Sequence, residues 1–211
     1  MEILSFSHLP STQKYLVDKI KNKELRLPIA VIAFEQSAGV GSRDNIWTGG
    51  EGNFFMSVAI DLEDLPADLP LSSASIYFSY IMKQVLLELG ENIWLKWPND
   101  FYVKDDKIGG TITTKVNDTL VCGIGINLNK TKNGYSALQS DISPQFLLEK
   151  YLLALEKFPK WKQVFREYEV EFELSRKFSV HIENYQKSLE NACLQSDGSL
   201  IIDGRKVYSL R

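Results

Sequence analysis

KWPNDFYVKDDKIGG, residues 96–110, stands between two strand-like runs, IWLKW (93–97) and GTITTKV (110–116), and its reading decides the fold. The proline rules out a regular helix, because its ring fixes φ and removes a backbone donor, and the residue before it is held extended. Lys96, Asn99 and Asp100 therefore project from a strand end and its turn. Working outward, a further strand-like run follows, TLVCGIGINL (119–128), and two precede, IAVIAF (29–34) and FFMSVAI (54–60). Between them, LSSASIYFSYIMKQVLLELG (71–90) places Ile76, Tyr77, Tyr80, Ile81, Val85 and Leu89 at helical spacing, with Gly90 as the stop. Other helices announce themselves by their caps. Ser11 or Thr12 precedes a short helix whose apolar side is Tyr15, Leu16 and Ile20, and Ser143 with Pro144 opens FLLEKYLLALEKF. Trp161, Val164, Phe165 and Tyr168 mark one face of a last helix. The pattern predicts an α/β protein of the α+β kind, a mixed sheet backed by helices. Beyond about residue 175 it changes to short strands punctuated by Asp197-Gly198 and Asp203-Gly204, both hairpin signals. The expected division is a main domain, 1–174, and a small β domain, 175–211.

Composition narrows the function. A chain of 211 residues with 44% hydrophobic content can bury one sizeable core. Its net charge of -3 argues against a nucleic-acid binder, which needs a basic face. Cys122 and Cys193 lie far apart, so neither a disulfide framework nor a zinc cluster is expected. His8 and His181 have no metal-ligand partner at suitable spacing. No run approaches the ~20 apolar residues that span a bilayer, and the N-terminus lacks a signal-peptide pattern. A cytoplasmic protein is expected.

Two segments carry candidate chemistry. EQSAGVGSRDNIWTGGEGN (35–53) reads as a long Gly-rich loop, either a flexible connector or a ligand loop. Gly39 and Gly41 permit close approach of a ligand to the backbone, Arg43 offers charge and Trp47 an apolar wall. The spacing matches neither a Walker phosphate loop nor a Rossmann fingerprint. In residues 96–110, Lys96 and Lys107 supply point positive charges for phosphate or carboxylate, while Asn99 and Asp100 supply oxygens suited to magnesium or to ribose and amine donors. Gly109-Gly110 leaves room beside the following strand. A solvated turn is the alternative reading; Asp105 and Asp106 are assigned to such a turn, and Cys122 to a packed strand.

LPSTQKYL, QSAGVGSRDNIW, LKWPNDFYVKDDKIGG and VCGIGINLN occur in an order and spacing that resembles the biotin protein ligases, over almost the whole chain. The resemblance implies a class II synthetase-like catalytic domain with a shortened SH3-like β cap. It also implies the monofunctional form, since residue 11 already belongs to the ligase core and no N-terminal DNA-binding domain fits before it. By the same resemblance, Ser11, Thr12 and Gln13 hold biotin, with Gln13 where an Asn is usual. Gln36, Gly39, Val40, Gly41, Ser42 and Trp47 close over biotin and its adenylate, with Arg43 toward the adenylate phosphate; Val40 and Ser42 stand where arginines are usual. Lys107, with Gly110, is placed against the reacting carboxylate and α-phosphate as the catalytic residue. Lys96, Asn99, Asp100, Asn127, Tyr135 and Arg211 fall near the nucleotide, and Asp100 and Asn127 near its Mg2+.

The activity so implied is ATP-dependent activation of biotin to biotinoyl-5′-AMP and transfer to a lysine of the apo biotin carboxyl carrier protein of acetyl-CoA carboxylase. ATP and biotin are the substrates, the carrier protein is the partner, and pairing into a homodimer through a sheet edge is compatible with it. Two alternatives stand beside it: a lipoate ligase of the same architecture, and a non-catalytic biotin-binding sensor for which Val40 and Ser42 argue and Lys107 argues against.

Overall fold

The computed structural model of the chain describes residues 1–41, 46–129, 136–138, 140–182 and 185–208. Strand β1 (Glu2–Phe6) leads into α1 (Thr12–Lys21), where the Ser11 hydroxyl accepts the Lys14 backbone N–H at 3.3 Å. Then come β2 (Ile29–Ala33), β3 (Gln36–Val40), β4 (Ile46–Gly49), β5 (Phe54–Asp61) and α2 (Ala74–Glu88). A meander follows: β6 (Trp94–Lys96), β7 (Asp100–Val103), β8 (Asp106–Val116) and β9 (Thr119–Ile126). Helices α3 (Pro144–Leu155) and α4 (Trp161–Glu171) precede the short strands β10 (Ser179–Ile182), β11 (Tyr185–Ser188), β12 (Cys193–Leu194), β13 (Leu200–Ile202) and β14 (Arg205–Val207).

Seven strands form one sheet in the order β1-β2-β5-β9-β8-β7-β6, with β1 and β2 parallel and the other neighbours antiparallel. The sheet is mixed, as its sequence pattern predicts. It is covered on both faces, which is why β2 reads as an unbroken apolar run. Ile29, Val31 and Ala33 pack with Leu16 and Ile20 of α1, while the alternate residues Ala30 and Ile32 join the larger core. That core gathers Tyr77, Phe78 and Met82 of α2, Leu148 and Tyr151 of α3, and Val164 and Tyr168 of α4. Val180, Leu189, Leu200 and Ile202 belong to the same core, so the C-terminal strands are packed onto the main body.

Local signals account for several boundaries. Gly90, at φ +90°, closes α2 with the paired bonds of a Schellman ending: Glu91 N–H to the Leu86 carbonyl at 2.9 Å and Gly90 N–H to the Leu87 carbonyl at 3.0 Å. The Ser143 hydroxyl caps α3 through the Phe146 N–H, with Pro144 at the first helical turn. Asp203 and Gly204, both at positive φ, make the two-residue turn between β13 and β14.

Two readings of the sequence are corrected, and one strand is added. Residues 35–53 are not a continuous loop: β3 and β4 pair as a separate antiparallel hairpin. Its Gln, Ser and Gly residues have little strand preference, and the hairpin stands off the main sheet, so no apolar alternation reveals it. The turn region after Pro98 contains a strand, β7, and β8 begins at Asp106, so Gly109 and Gly110 lie inside β8. The edge strand β1 is half-exposed and has no signal in the sequence pattern. Among the described residues no helix is long and apolar enough to cross a membrane.

Candidate active site

A cleft opens between the β3–β4 hairpin, the start of α1 and the face of β5, β8 and β9. Its closed end is polar. The Gln36 side-chain oxygen accepts the Thr12 backbone N–H at 2.7 Å and the Thr12 hydroxyl at 3.2 Å, which fastens the hairpin to the unsatisfied first turn of α1. The Ser57 hydroxyl donates to the Thr12 hydroxyl at 2.9 Å. Gln13 donates its amide to the Thr114 hydroxyl at 3.2 Å and the Val121 carbonyl at 3.1 Å. Its own carbonyl oxygen is buried with no hydrogen-bond partner among the described residues. A side chain at Gly123 would bring a Cβ within 2.6 Å of that oxygen, so the glycine keeps its place open. Trp47 forms a wall against β9, where a Cβ at Gly125 would meet the indole at 3.0 Å.

The other end carries charge. Asp100 faces Gly110 across the β7–β8 pairing, and its carboxylate lies 2.6 Å from the Lys107 ammonium. The Lys96 ammonium approaches the second oxygen at 4.0 Å. Lys96 is buried, with the rings of Tyr102 and Phe178 at 5.9 and 5.8 Å, whereas the Lys107 side chain is 40% exposed and lines the cleft. Burial, with the negative charges of Asp100 and Asp106 added, pushes the Tyr102 hydroxyl up to about 12. The exposed Lys107 ammonium is thus the charge this end presents to the cleft, suited to an anionic group. The Asn99 carbonyl accepts the Thr111 N–H at 2.9 Å and its side-chain amide donates back to the Thr111 carbonyl, which fastens the turn to β8.

Of the residues singled out in the sequence, Ser11, Thr12, Gln13, Gln36, Val40, Gly41, Trp47, Asn99, Asp100, Lys107 and Gly110 all line this one cleft. Gly39 does not: a Cβ there would meet the Trp47 carbonyl at 2.6 Å, so its role is close packing of the hairpin. Gly109 is likewise closed in, since a Cβ there would meet the Gly125 carbonyl at 2.6 Å. Lys96 and Asn127 lie behind the lining. Asn127 donates its amide to the Ser136 carbonyl at 3.1 Å and its backbone N–H to the Ile108 carbonyl at 2.8 Å. Ser42, Arg43, Tyr135 and Arg211 lie outside the described residues. No group of three His, Cys, Asp or Glu residues that could hold a metal occurs among the described residues.

The biotin/lipoate A/B protein ligase family matches residues 5–130, more than half of the chain. The chain belongs to this family. Biotin acetyl coenzyme A carboxylase synthetase from Helicobacter pylori, in a crystal structure with bound biotinylated ATP, is similar to this ligase-family chain at a TM-score of 0.94 and 40% identity, over 98% of this chain and 99% of that one. Biotin protein ligase from Aquifex aeolicus, in complex with biotin and ATP, shares the fold at a TM-score of 0.77 and 20% identity, over 100% of this chain and 96% of that one. The bifunctional ligase/repressor BirA of Escherichia coli is 37% identical over 127 residues, 57% of this chain and 38% of that protein. The chain thus spans about two fifths of the length of the curated relatives that it matches first.

Sequence reasoning missed part of the ligase-family cleft. Met56, Ser57, Thr111, Ile112, Gly123, Ile124 and Gly125 line it. The alternation Gly123-Ile124-Gly125 within a strand was the available signal, since residues two apart share a face.

Proposed function

We propose that the chain is a biotin protein ligase. It activates biotin with ATP to biotinoyl-5′-AMP, releasing pyrophosphate, and transfers the biotinoyl group to a lysine of the biotin carboxyl carrier protein of acetyl-CoA carboxylase, acting in the cytoplasm. The observation that carries this reading is one cleft with a carbonyl acceptor that has no partner among the described residues at its closed end and a lysine at its open end. A ureido ring presents N–H donors to the first; a carboxylate meets the second. The dithiolane of lipoate has no N–H to offer Gln13, which favours biotin over lipoate within the same family.

In the first step a biotin carboxylate oxygen attacks the α-phosphorus and the bond to pyrophosphate breaks. Two anions are brought together, so Lys107 leaves Asp100 or shares itself with the incoming oxygens, and offsets the charge that develops on them. In the second step the carrier amine attacks the carbonyl carbon, AMP leaves and the ammonium proton is lost. Magnesium enters with ATP as part of the substrate. The donor set here suits that arrangement: Asp100 is already shared between two lysines, so the metal would be held chiefly by phosphates. Asp100 is the residue that would face it, and Asn127 would support the segment beyond β9. Val40, Trp47 and Gly41 would shield the mixed anhydride from water. Residues 1–174 serve as the catalytic domain and 175–211 as the SH3-like cap.

Biotin-dependent exchange of pyrophosphate into ATP tests the reading, followed by mass spectrometry of an added apo carrier. Exchange with biotin, and modification of one carrier lysine, are expected. Exchange with lipoate alone would assign the chain to the lipoate branch, and binding of biotin without exchange would make it a sensor.

A further inference from the structure

The turn between β12 and β13 is held by three separate parts of the main body. Three successive carbonyls each accept a side-chain hydrogen bond: Ser196 from the Trp161 indole at 2.9 Å, Asp197 from the Ser73 hydroxyl, and Gly198 from the Trp97 indole at 2.9 Å. Gly198 sits at φ +78° with Ser73 against it, so the turn accepts no larger residue without strain. Trp161 begins α4 and Ser73 precedes α2, but Trp97 belongs to the segment that carries the site. It is 1% exposed, and its backbone N–H donates to the buried Ser175 hydroxyl at 3.1 Å. Three residues on, Asp100 holds Lys107 at 2.6 Å.

We propose that the turn 196–198 is a positioning element for the reaction, acting through the Trp97 indole to place Asp100 and Lys107. The inference rests on the ligase reading above. Trp97 is enclosed from both sides by residues of the C-terminal segment, Ser175 at its backbone and Gly198 at its ring, so the strand end that presents Asp100 is set from outside the sheet. The polar end of the cleft, on α1, β3 and β5, is held by its own bonds and does not depend on this contact. Catalytic placement and biotin binding are therefore separable.

The test compares Trp97→Phe with Trp161→Phe in the full chain. Each removes one indole donor to the same turn, but only the first touches the site segment. Biotin-dependent pyrophosphate exchange is measured with MgATP at a temperature where both variants remain folded. For Trp97→Phe, kcat falls about tenfold or more while KM for biotin stays within about twofold, because small misplacements of reacting groups are costly in rate. Trp161→Phe keeps the wild-type kcat. Equal kcat for Trp97→Phe and wild type, equal losses in both variants, or a rise in biotin KM matching the fall in kcat each overturn the inference. Should Trp97→Phe fail to fold, Ser175→Ala, which removes the partner of the Trp97 backbone, is expected to show the same kcat-only loss, and its absence is decisive against the proposal. An inactive wild type overturns the ligase reading and this inference together, whereas an active wild type isolates the inference.

Discussion

Lys107 reaches the cleft through a strand whose neighbour supplies its counter-ion, so its charge is held at the site before any substrate arrives. Replacing Lys107 by Ala removes the one lysine lining the described cleft, and adenylate formation should drop by more than about 100-fold, as for other groups that act on transition-state charge. Rapid-quench measurement of the first turnover checks this, and turnover like the wild type's would take Lys107 out of the chemistry. At the opposite end, Gly123→Ala would drive a methyl group into the Gln13 carbonyl, which two donor bonds hold in place. Losing one buried hydrogen bond costs ~1–3 kcal/mol, so the biotin dissociation constant should rise ~5- to 150-fold by calorimetry. Unchanged affinity would show that the Gln13 acceptor does not face the ligand. Lys107 and Gln13 were legible in the sequence as polar residues in a distinctive order. Gly123 was not, because its importance lies in the space it leaves for a residue 110 positions earlier.

Elements differ in how much their sequence says. Helices α1 and α3 announce themselves by a serine cap, and α2 by its apolar spacing and its terminal glycine, all local signals. The hairpin β3–β4 has no such signal: it is defined by its pairing and by the Gln36 contact with Thr12, 24 positions away. This hairpin carries Val40 at the cleft, where relatives in the resembling family are expected to carry a guanidinium. Charged hydrogen bonds contribute roughly 1.5–3 kcal/mol each, so Val40→Arg should lengthen the residence of the adenylate by ~10- to 150-fold. By the same reasoning, the wild type should release its intermediate readily and should label lysines outside the carrier. Filter-binding decay of labelled adenylate, with mass spectrometry of bystander proteins, measures both; identical decay in the variant and the wild type contradicts the idea.

For the whole molecule, the C-terminal strands and the main body share one core, and the turn between β12 and β13, which bonds to the main body, carries a carboxyl whose titration is shifted. Burial works to raise the Asp197 carboxyl, but the Lys206 ammonium and the Ser199 donors outweigh it and hold the group below the usual carboxylate range. A carboxyl lowered in the folded state adds stability above its unfolded value, near 3.9, and loses it as the pH falls through the folded value. Melting temperatures of wild type and Asp197→Asn should therefore differ at neutral pH and converge below about pH 4. A gap that persists in acid would assign the difference to packing. Read alone, the sequence determined the helices, the mixed sheet and most of the residues that gather at the cleft, because caps, period and motif order are written locally. Only the tertiary structure decided that Asp100 faces two lysines, that the Gln13 carbonyl is left without a partner among the described residues, and that the Trp97 ring is held by Gly198, 101 positions away. Those depend on which strand ends meet, and pairing across the sheet and across the core is a property of the folded chain.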